Sequence, residues 1–457
     1  MAEIIETNGE EAFGITDRLI AETLEAIRNA DRERIDELLG PLHPADIAHL
    51  FEQIDIRDRA ALVAVWKGGV DGEILSELDE EVREEVLVQL APEELAEAVR
   101  DLDSDDVVDL VEYLDDAQQE AVLDALEASD RVVVEQALTY PEESAGRHMQ
   151  SELVRAPEHW TVGEAIDYLR SDVVLPDQFY HVILVDARMK ATGYVTLGRI
   201  LSHPRSMPLA QLAEDSFRTF HVAQDVEEVA QAINHYHMIT APVVDDDDRI
   251  VGVITIDDAM AFLEEEAEED ILRLAGVGEG SLSDRVIQTT KSRLPWLAVN
   301  LVTAILASMV IALFEETIAG LVALAVLMPI VASMGGNAGT QSLTVAVRAI
   351  AVRDLTSSNL WRTIRREVLV GLINGAIFAV VMGIVGLIWF GSPMLGVVIA
   401  CAMVINLVVA GLAGTAIPVI LDKMGVDPAL ASGAFVTTVT DVVGFFAFLG
   451  LAALWLI

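Results

Sequence analysis

The chain is nearly without cysteine, poor in lysine, and has no histidine in its long apolar runs; each gap closes a class of function. The one cysteine, Cys401, sits in an apolar run, so no disulfide framework is available. Without an intramembrane histidine there is no H-E-x-x-H helix and no metalloprotease chemistry in the spans. No G-x-x-x-x-G-K-[ST] stretch is present, which excludes a P-loop motor. No Ser-His-Asp or Cys-His grouping stands out either, so an enzyme is not expected. The opening MAEIIETNGEE lacks a basic n-region and an apolar h-region; a cleaved signal is not expected, and the N-terminal part is expected to stay in the cytoplasm.

What is present is acid, unevenly placed. Of 29 Lys and Arg and 74 Asp and Glu, residues 291–457 hold only 8 and 7, leaving 21 basic and 67 acidic residues before them. A net charge of −46 thus precedes an apolar part at +1. Such a surface repels nucleic acid and anionic lipid and attracts cations. A solvated surface in an acid-rich organism accounts for the charge equally well, and the presence of only 4 lysines fits that reading.

From about residue 15 to 140, apolar positions recur at three and four residues in short pieces such as HPADIAHLFEQI, PEELAEAVRDL and SDDVVDLVEYL, with Pro, Asp or Ser at the breaks. The pieces return roughly every dozen residues, which predicts stacked helical hairpins in a small right-handed or solenoid-like bundle. Past His148 the period changes. YHVILVDARMKATGYVTLGRIL and ITAPVVDDDDRIVGVITIDDAM align without a gap at a shift of 59, each reading strand, acidic turn, strand, helix. Two such βαββα units in tandem resemble a CBS-domain pair. In such pairs a Thr-x-x-Asp after the last strand holds a ribose; Thr255 and Asp258 fit it, whereas the first copy has Arg199 in place of the Asp. One adenine-nucleotide pocket, for ATP or a relative, is compatible with this, and two are not expected.

Five apolar segments follow, near 294–314, 318–347, 368–389, 394–421 and 430–457, each long enough to cross about 30 Å of hydrocarbon. Arg348, Arg353, Arg362, Arg365 and Arg366 lie between the second and third. By the positive-inside rule the N-terminus is then cytoplasmic and the C-terminus outside. In the second segment, Pro329 and the Gly335–Gly336 pair are expected to break the helix beside Asn337, Thr340 and Gln341; close packing of small residues between helices is the other reading. In the fifth, Asp441 stands within one turn of Thr437 and next to Thr440. A carboxylate at that depth is costly and marks a pathway or a cavity, or else glues helices by hydrogen bonding. With no Lys, Arg or His in the spans to pair with it, a passing cation is the natural partner. Oxygen ligands alone favour a hard ion, Mg²⁺ or Ca²⁺. Mg²⁺ keeps much of its water shell and is often held by one or two carboxylates, as two facing aspartates of a symmetric dimer would hold it.

LHPADIAHLFEQID, YPEESAGRHM, the CBS pair, EEEAEEDILRLAG, RLPWLAVNL, MPIVASMGGNAGTQS, REVLVGLINGAI and DPALASGAFVTTVTDVVGFF, in order over residues 40–450, together resemble the MgtE family of magnesium channels. The resemblance implies a multidomain fold: an all-α N-terminal helical domain (1–143), an α/β tandem CBS pair (144–205 and 206–264), an acidic connecting or plug helix with its linker (257–290), and an α-helical membrane domain of five spans (291–457). It implies a homodimer in the cytoplasmic membrane with a pore lined by the second and fifth spans. Asp441 is the pore carboxylate, and Asp427 lies near the cytoplasmic mouth. Closure by cytosolic Mg²⁺ is implied at Glu73, Asp105, Asp109, Asp258, Glu266, Glu269 and Asp270. His237 and Ala261 stand where relatives often carry Asp, which puts some of these sites in doubt. Other readings are a transporter for Co²⁺ or Ca²⁺, or a nucleotide-sensing CBS protein that uses the membrane as an anchor. An anchor, though, has no use for Asp441.

Overall fold

The computed structural model describes residues 15–176, 178–214, 217–277, 286–356 and 358–456. The opening MAEIIETNGEE, and the stretch GEGSLSD within the linker expected over 257–290, lie outside these residues. The chain divides between Glu264 and Glu265 into two compact units.

The first unit begins with short helices: α1 (Asp17–Arg28), α2 (Arg32–Leu39), α3 (Pro44–Gln53), α4 (Ile56–Val65), α5 (Gly72–Ser76), α6 (Glu80–Leu87), α7 (Pro92–Ala98), α8 (Ser104–Glu112), α9 (Asp116–Ala125) and α10 (Ala128–Ala137). Their starts follow from the sequence. Thr16, Asp31, Asp55, Asp71 and Asp115 accept N–H groups of the first turn, and Pro44 and Pro92 occupy first-turn positions whose N–H has no partner to lose. Helices pack on those two places further along, α3 on α5, α4 on α6, α7 on α9 and α8 on α10, so the hairpins climb as a stack. Leu50, Phe51, Leu62, Leu75, Leu95 and Leu110 are buried in its core. Arginines supply the internal counter-charge: Arg59 is buried, donates to the carbonyls of Phe51 and Glu52 at 2.6 and 3.2 Å, and pairs with Glu85 at 2.7 Å.

Two three-stranded sheets follow. The first contains β1 (Arg155–Pro157), β2 (His181–Val185) and β3 (Ala191–Thr196), with helices α11 (Val162–Leu169) and α12 (Leu197–Ser202). The second contains β4 (Phe220–His221), β5 (Thr240–Val244) and β6 (Ile250–Thr255), with α13 (Val226–Tyr236) and α14 (Ile256–Leu274). In each sheet the first pairing is parallel and the second antiparallel. The shift of 59 holds in detail: the register slips between Leu184 and Val185 and again between Val243 and Val244, and Met189 and Asp248 share a left-handed turn conformation. Ile183 and Val185 of one sheet pack with Ile250 and Val253 of the other. The helical stack is tied to the sheets by Ser104, whose Oγ donates to Glu152 at 2.8 Å and accepts from the Ser151 N–H at 2.8 Å, and by an Arg147–Glu112 ion pair.

The second unit holds the C-terminal part of α14 and the helices α15 (Val286–Ala312), α16 (Glu315–Gly320), α17 (Ala323–Ala351), α18 (Leu360–Phe390), α19 (Pro393–Lys423) and α20 (Pro428–Trp455). Five of these are long and apolar enough to cross a membrane. The limits read from hydropathy shift with the polar ends included: the first segment starts earlier, and the second begins at Ala323 because the short α16 precedes it. The most enclosed is α19, packed on α17, α18 and α20, whereas α15 turns most of its apolar surface outward. Trp361, with the Arg365 guanidinium over its ring, and Trp389, stacked on Phe390, mark the two ends of α18.

One expectation fails here. The helix α17 runs unbroken through Pro329 and Gly335–Gly336. Backbone groups disturbed inside a membrane helix are re-satisfied by its neighbours, and the Asn406 Nδ2 donates to the Val331 carbonyl at 2.8 Å. The glycines allow close approach: a Cβ on Gly414 of α19 would lie 2.5 Å from the Gly339 carbonyl oxygen. Packing of small residues is therefore the reading that holds.

Candidate functional site

Within the membrane unit, polar groups gather on two helices. Along α17, Asn337, Thr340, Gln341 and Thr344 are exposed at spacings of three and four residues and, with Met334, line an open depression. Such spacing puts them on one helix face. The Thr340 and Thr344 hydroxyls donate back to the Gly336 and Thr340 carbonyls at 3.0 Å each, which leaves their lone pairs outward. On α20, Thr437 is exposed and donates to the Gly433 carbonyl at 2.8 Å, while Thr440 is fully buried and donates to the Thr437 carbonyl at 2.9 Å. Asp441 is half-buried, and no hydrogen bond or ion pair joins it to any described residue. A Cβ on Gly339 would meet Val436 and Thr440, so α17 and α20 touch at this level. An exposed row of amides and hydroxyls on one helix, and a carboxylate without a described partner on another that touches it, are groups that can replace or hydrogen-bond the water shell of a cation.

On α14, Glu266, Glu269 and Asp270 are the acids that the resemblance links to Mg²⁺; Arg273, one turn past Glu269, pairs with Glu269 and donates to Asp427 at 2.9 Å. Asp427 also caps α20, accepting the Ala429 N–H at 2.7 Å. Burial, helped by Glu266 and Asp427, pushes the Asp270 carboxyl up to about 6. The link from Arg273 to Asp427 has no local signal in the sequence, since the two lie 154 residues apart.

In the first unit, Asp105 and Asp106 occupy the first turn of α8. Burial, and then the charge of Asp258, holds Asp105 well above the usual carboxylate range and pushes Asp106 up to about 7. Asp258 is raised by burial too, against hydrogen bonds from the Thr255 hydroxyl and N–H that pull the other way. The structure thus brings Asp105 and Asp258 together and adds Asp106, which sequence reasoning missed although it adjoins Asp105. Asp109 is paired with Arg83, and Glu73 lies exposed on α5. His237 ends α13 in a left-handed conformation, and Ala261 is exposed on α14. In the first sheet unit Arg199 is turned to other work, donating to the Leu212 carbonyl at 2.9 Å and pairing with Glu214 at 2.9 Å. Among the described residues no three His, Cys, Asp or Glu side chains are arranged to hold an ion by themselves.

Comparison with known proteins bears on all three regions. Residues 328–451 match a family described as MgtE, divalent cation transporter; residues 42–143 match the MgtE intracellular N domain; and residues 210–265 match the CBS domain. The chain is 30% identical over 437 residues to the magnesium transporter MgtE of Bacillus subtilis (strain 168), covering 95% of this chain and 97% of that one. It is 32% identical over 435 residues to the magnesium transporter MgtE of Enterococcus faecalis (strain ATCC 700802 / V583), covering 95% and 96%. A crystal structure of the cytosolic domain of the Mg²⁺ channel MgtE in complex with ATP aligns at 27% identity with a TM-score of 0.49, covering 53% of this chain and 99% of that one. With two relatives at this identity along nearly its whole length, and with its helical stack, paired sheets and five apolar helices, the chain belongs to the MgtE family of magnesium transporters.

Proposed function

We propose that this chain is a Mg²⁺-selective channel of the cytoplasmic membrane, with its N-terminus in the cytoplasm and its C-terminus outside, and that it closes when cytosolic Mg²⁺ binds its acidic part. The observation that carries the reading is Asp441, a carboxylate inside an apolar helix with no partner among the described residues, on a helix that touches α17, whose own polar face is exposed. In a homodimer, two such aspartates and two such faces would surround one hydrated ion and supply only a few direct oxygen contacts, which suits an ion that gives up its water reluctantly. The domain limits that go with this function are 1–143, 144–205, 206–264, 257–290 and 291–457.

Closure uses the raised acids. Asp105, Asp106 and Asp258 repel one another when ionised, and a divalent ion among them replaces protons and repulsion at once. Glu73 and Asp109 are the further acids of the first unit, and Glu266, Glu269 and Asp270 those of the second, that go with this reading, while Asp427 goes with the cytoplasmic mouth of the pore. ATP or another adenine nucleotide, bound through Thr255 and Asp258, is a modulator: polyphosphate beside these carboxylates needs the same cation, so the two ligands are linked.

Asp441→Ala in the full chain, reconstituted in liposomes, is expected to lower Mg²⁺ flux at least tenfold while insertion and oligomeric state stay as they are. Wild-type flux in that variant would overturn the pathway. Flux of Co²⁺ or Ca²⁺ above that of Mg²⁺ would keep the pathway and change its ion.

A further inference from the structure

Asn406 on α19 has none of its surface exposed. Its Nδ2 donates to the Val331 carbonyl of α17, and its Oδ1 has no hydrogen-bond partner among the described residues. An amide oxygen left unpaired in apolar surroundings costs about 1–3 kcal/mol, so a hydrocarbon of equal volume would suit the site better if packing were all that mattered. The space around the amide is cut from two helices. A Cβ on Gly335 of α17 would lie 2.1 Å from Nδ2, and one on Gly444 of α20 would lie 2.7 Å from the same atom. No side chain other than hydrogen fits at either position while Asn406 is there.

The two notches have meaningful neighbours. Gly335 is two residues before Asn337, where the exposed polar face of α17 begins its run to Thr344, and Gly444 is three residues after Asp441, one turn further along α20. The amide therefore touches, from a third helix, both helices that carry the polar groups, at the level of those groups. We propose that Asn406 is a positioning residue for the cation path. Wedged between Gly335 and Gly444 and hooked on the Val331 carbonyl, it fixes the rotation and height of α17 against α20, and with them the placing of Asp441 relative to the polar face of α17. It touches no ion itself. Nothing in hydropathy marks it out, because a single Asn in a long apolar run reads as tolerated polarity.

This inference rests on the pathway proposed above, and its test separates the two. In liposomes holding the full chain, Mg²⁺ flux per inserted protein and the preference for Mg²⁺ over Na⁺ are measured for Asn406→Leu, which keeps the volume and loses the donor. Flux is expected to fall roughly tenfold and the preference to narrow, with insertion and oligomeric state unchanged. A second set guards against failed folding: Gly444→Ala alone, Asn406→Ala alone, and the two combined. The added methyl strikes the amide in the first, so flux falls; in the double variant it enters vacated space, and flux is expected to recover roughly tenfold over the product of the single effects. Wild-type flux and preference in an inserted Asn406→Leu overturns the proposal, as does a double variant no better than that product. If Asn406→Leu does not insert, the double variant decides alone. Asp441→Ala in the same liposomes reports on the pathway separately: normal flux there removes the pathway, whereas dead flux there with a normal Asn406→Leu removes only the wedge.

Discussion

Two acidic clusters in this chain solve the same electrostatic problem in opposite ways. On the connecting helix, Glu269 and Asp427 share Arg273, a cation tethered to the chain and present in every state of the protein. Between α8 and the start of α14, Asp105, Asp106 and Asp258 crowd together; for Asp105 and Asp106, burial and the neighbouring carboxylate both favour the protonated form. A cluster with its own guanidinium is indifferent to solution cations to first order. A cluster whose carboxyls are raised by burial and by one another gains more from a bound cation. The difference separates acids that hold the fold from acids that can read its surroundings.

The largest test removes the second kind. In Asp105→Asn/Asp106→Asn/Asp258→Asn, Mg²⁺ is expected to lose most of its stabilising effect on the full protein. At about a hundred times its Kd, one bound ion is worth roughly 2.7 kcal/mol, and thermal melts with and without Mg²⁺ measure the loss. An unchanged Mg²⁺-dependent shift would mean that these carboxylates are merely solvated.

The pH response sharpens the contrast. Asp106 keeps its proton up to about 7 in the compact form, against an ordinary value of 3.8 once exposed. The compact form binds more protons between those values, so without Mg²⁺ its stability is complete below 3.8 and drains as the pH rises through about 7. Protease resistance of the soluble part in chelator should fall from pH 5 to pH 8, a range bracketing that value of about 7, and saturating Mg²⁺ should flatten the fall. A resistance that climbs with pH in chelator contradicts this sign.

The smallest effect belongs to the tethered cation. Arg273→Gln removes a partly exposed pair, worth about 1 kcal/mol or less. It also turns the connecting-helix acids into a cluster of the other kind. Hydrogen exchange along α14 is therefore expected to become more Mg²⁺-dependent in the variant than in the parent, and equal dependence would count against the comparison.

The parts that the sequence made readable are those with a local period. The duplicated units appeared because strand alternation, an acidic turn and a glycine recur at one shift, and the structure repeats even the register slip at that shift. The apolar helices were readable by length, and Asp441 by contrast with its surroundings. What stayed hidden depends on partners distant in the chain. Pro329 and Gly335–Gly336 look like breakers until Asn406, 75 residues beyond Val331, is seen to fill the notch and hold the carbonyl. The pairing of Arg83 with Asp109, 26 residues along the chain, likewise has no local signature. Thr255 and Asp258 were read as a ribose site, and they also bond to each other across the first turn of α14, which any sequence with that spacing is able to do.

The length of α18 has a consequence outside the protein. Its 31 residues extend about 46 Å at 1.5 Å per residue, well beyond a hydrocarbon layer of about 30 Å, and its terminal tryptophans are of the kind that settle among headgroups. Such a rod meets a thin bilayer by tilting and a thick one by standing upright. Because α19 lies along it and touches both polar helices, a change of tilt in α18 is passed to the helices of the proposed pathway, and acyl-chain length is a variable to set beside voltage and concentration in any measurement of its flux.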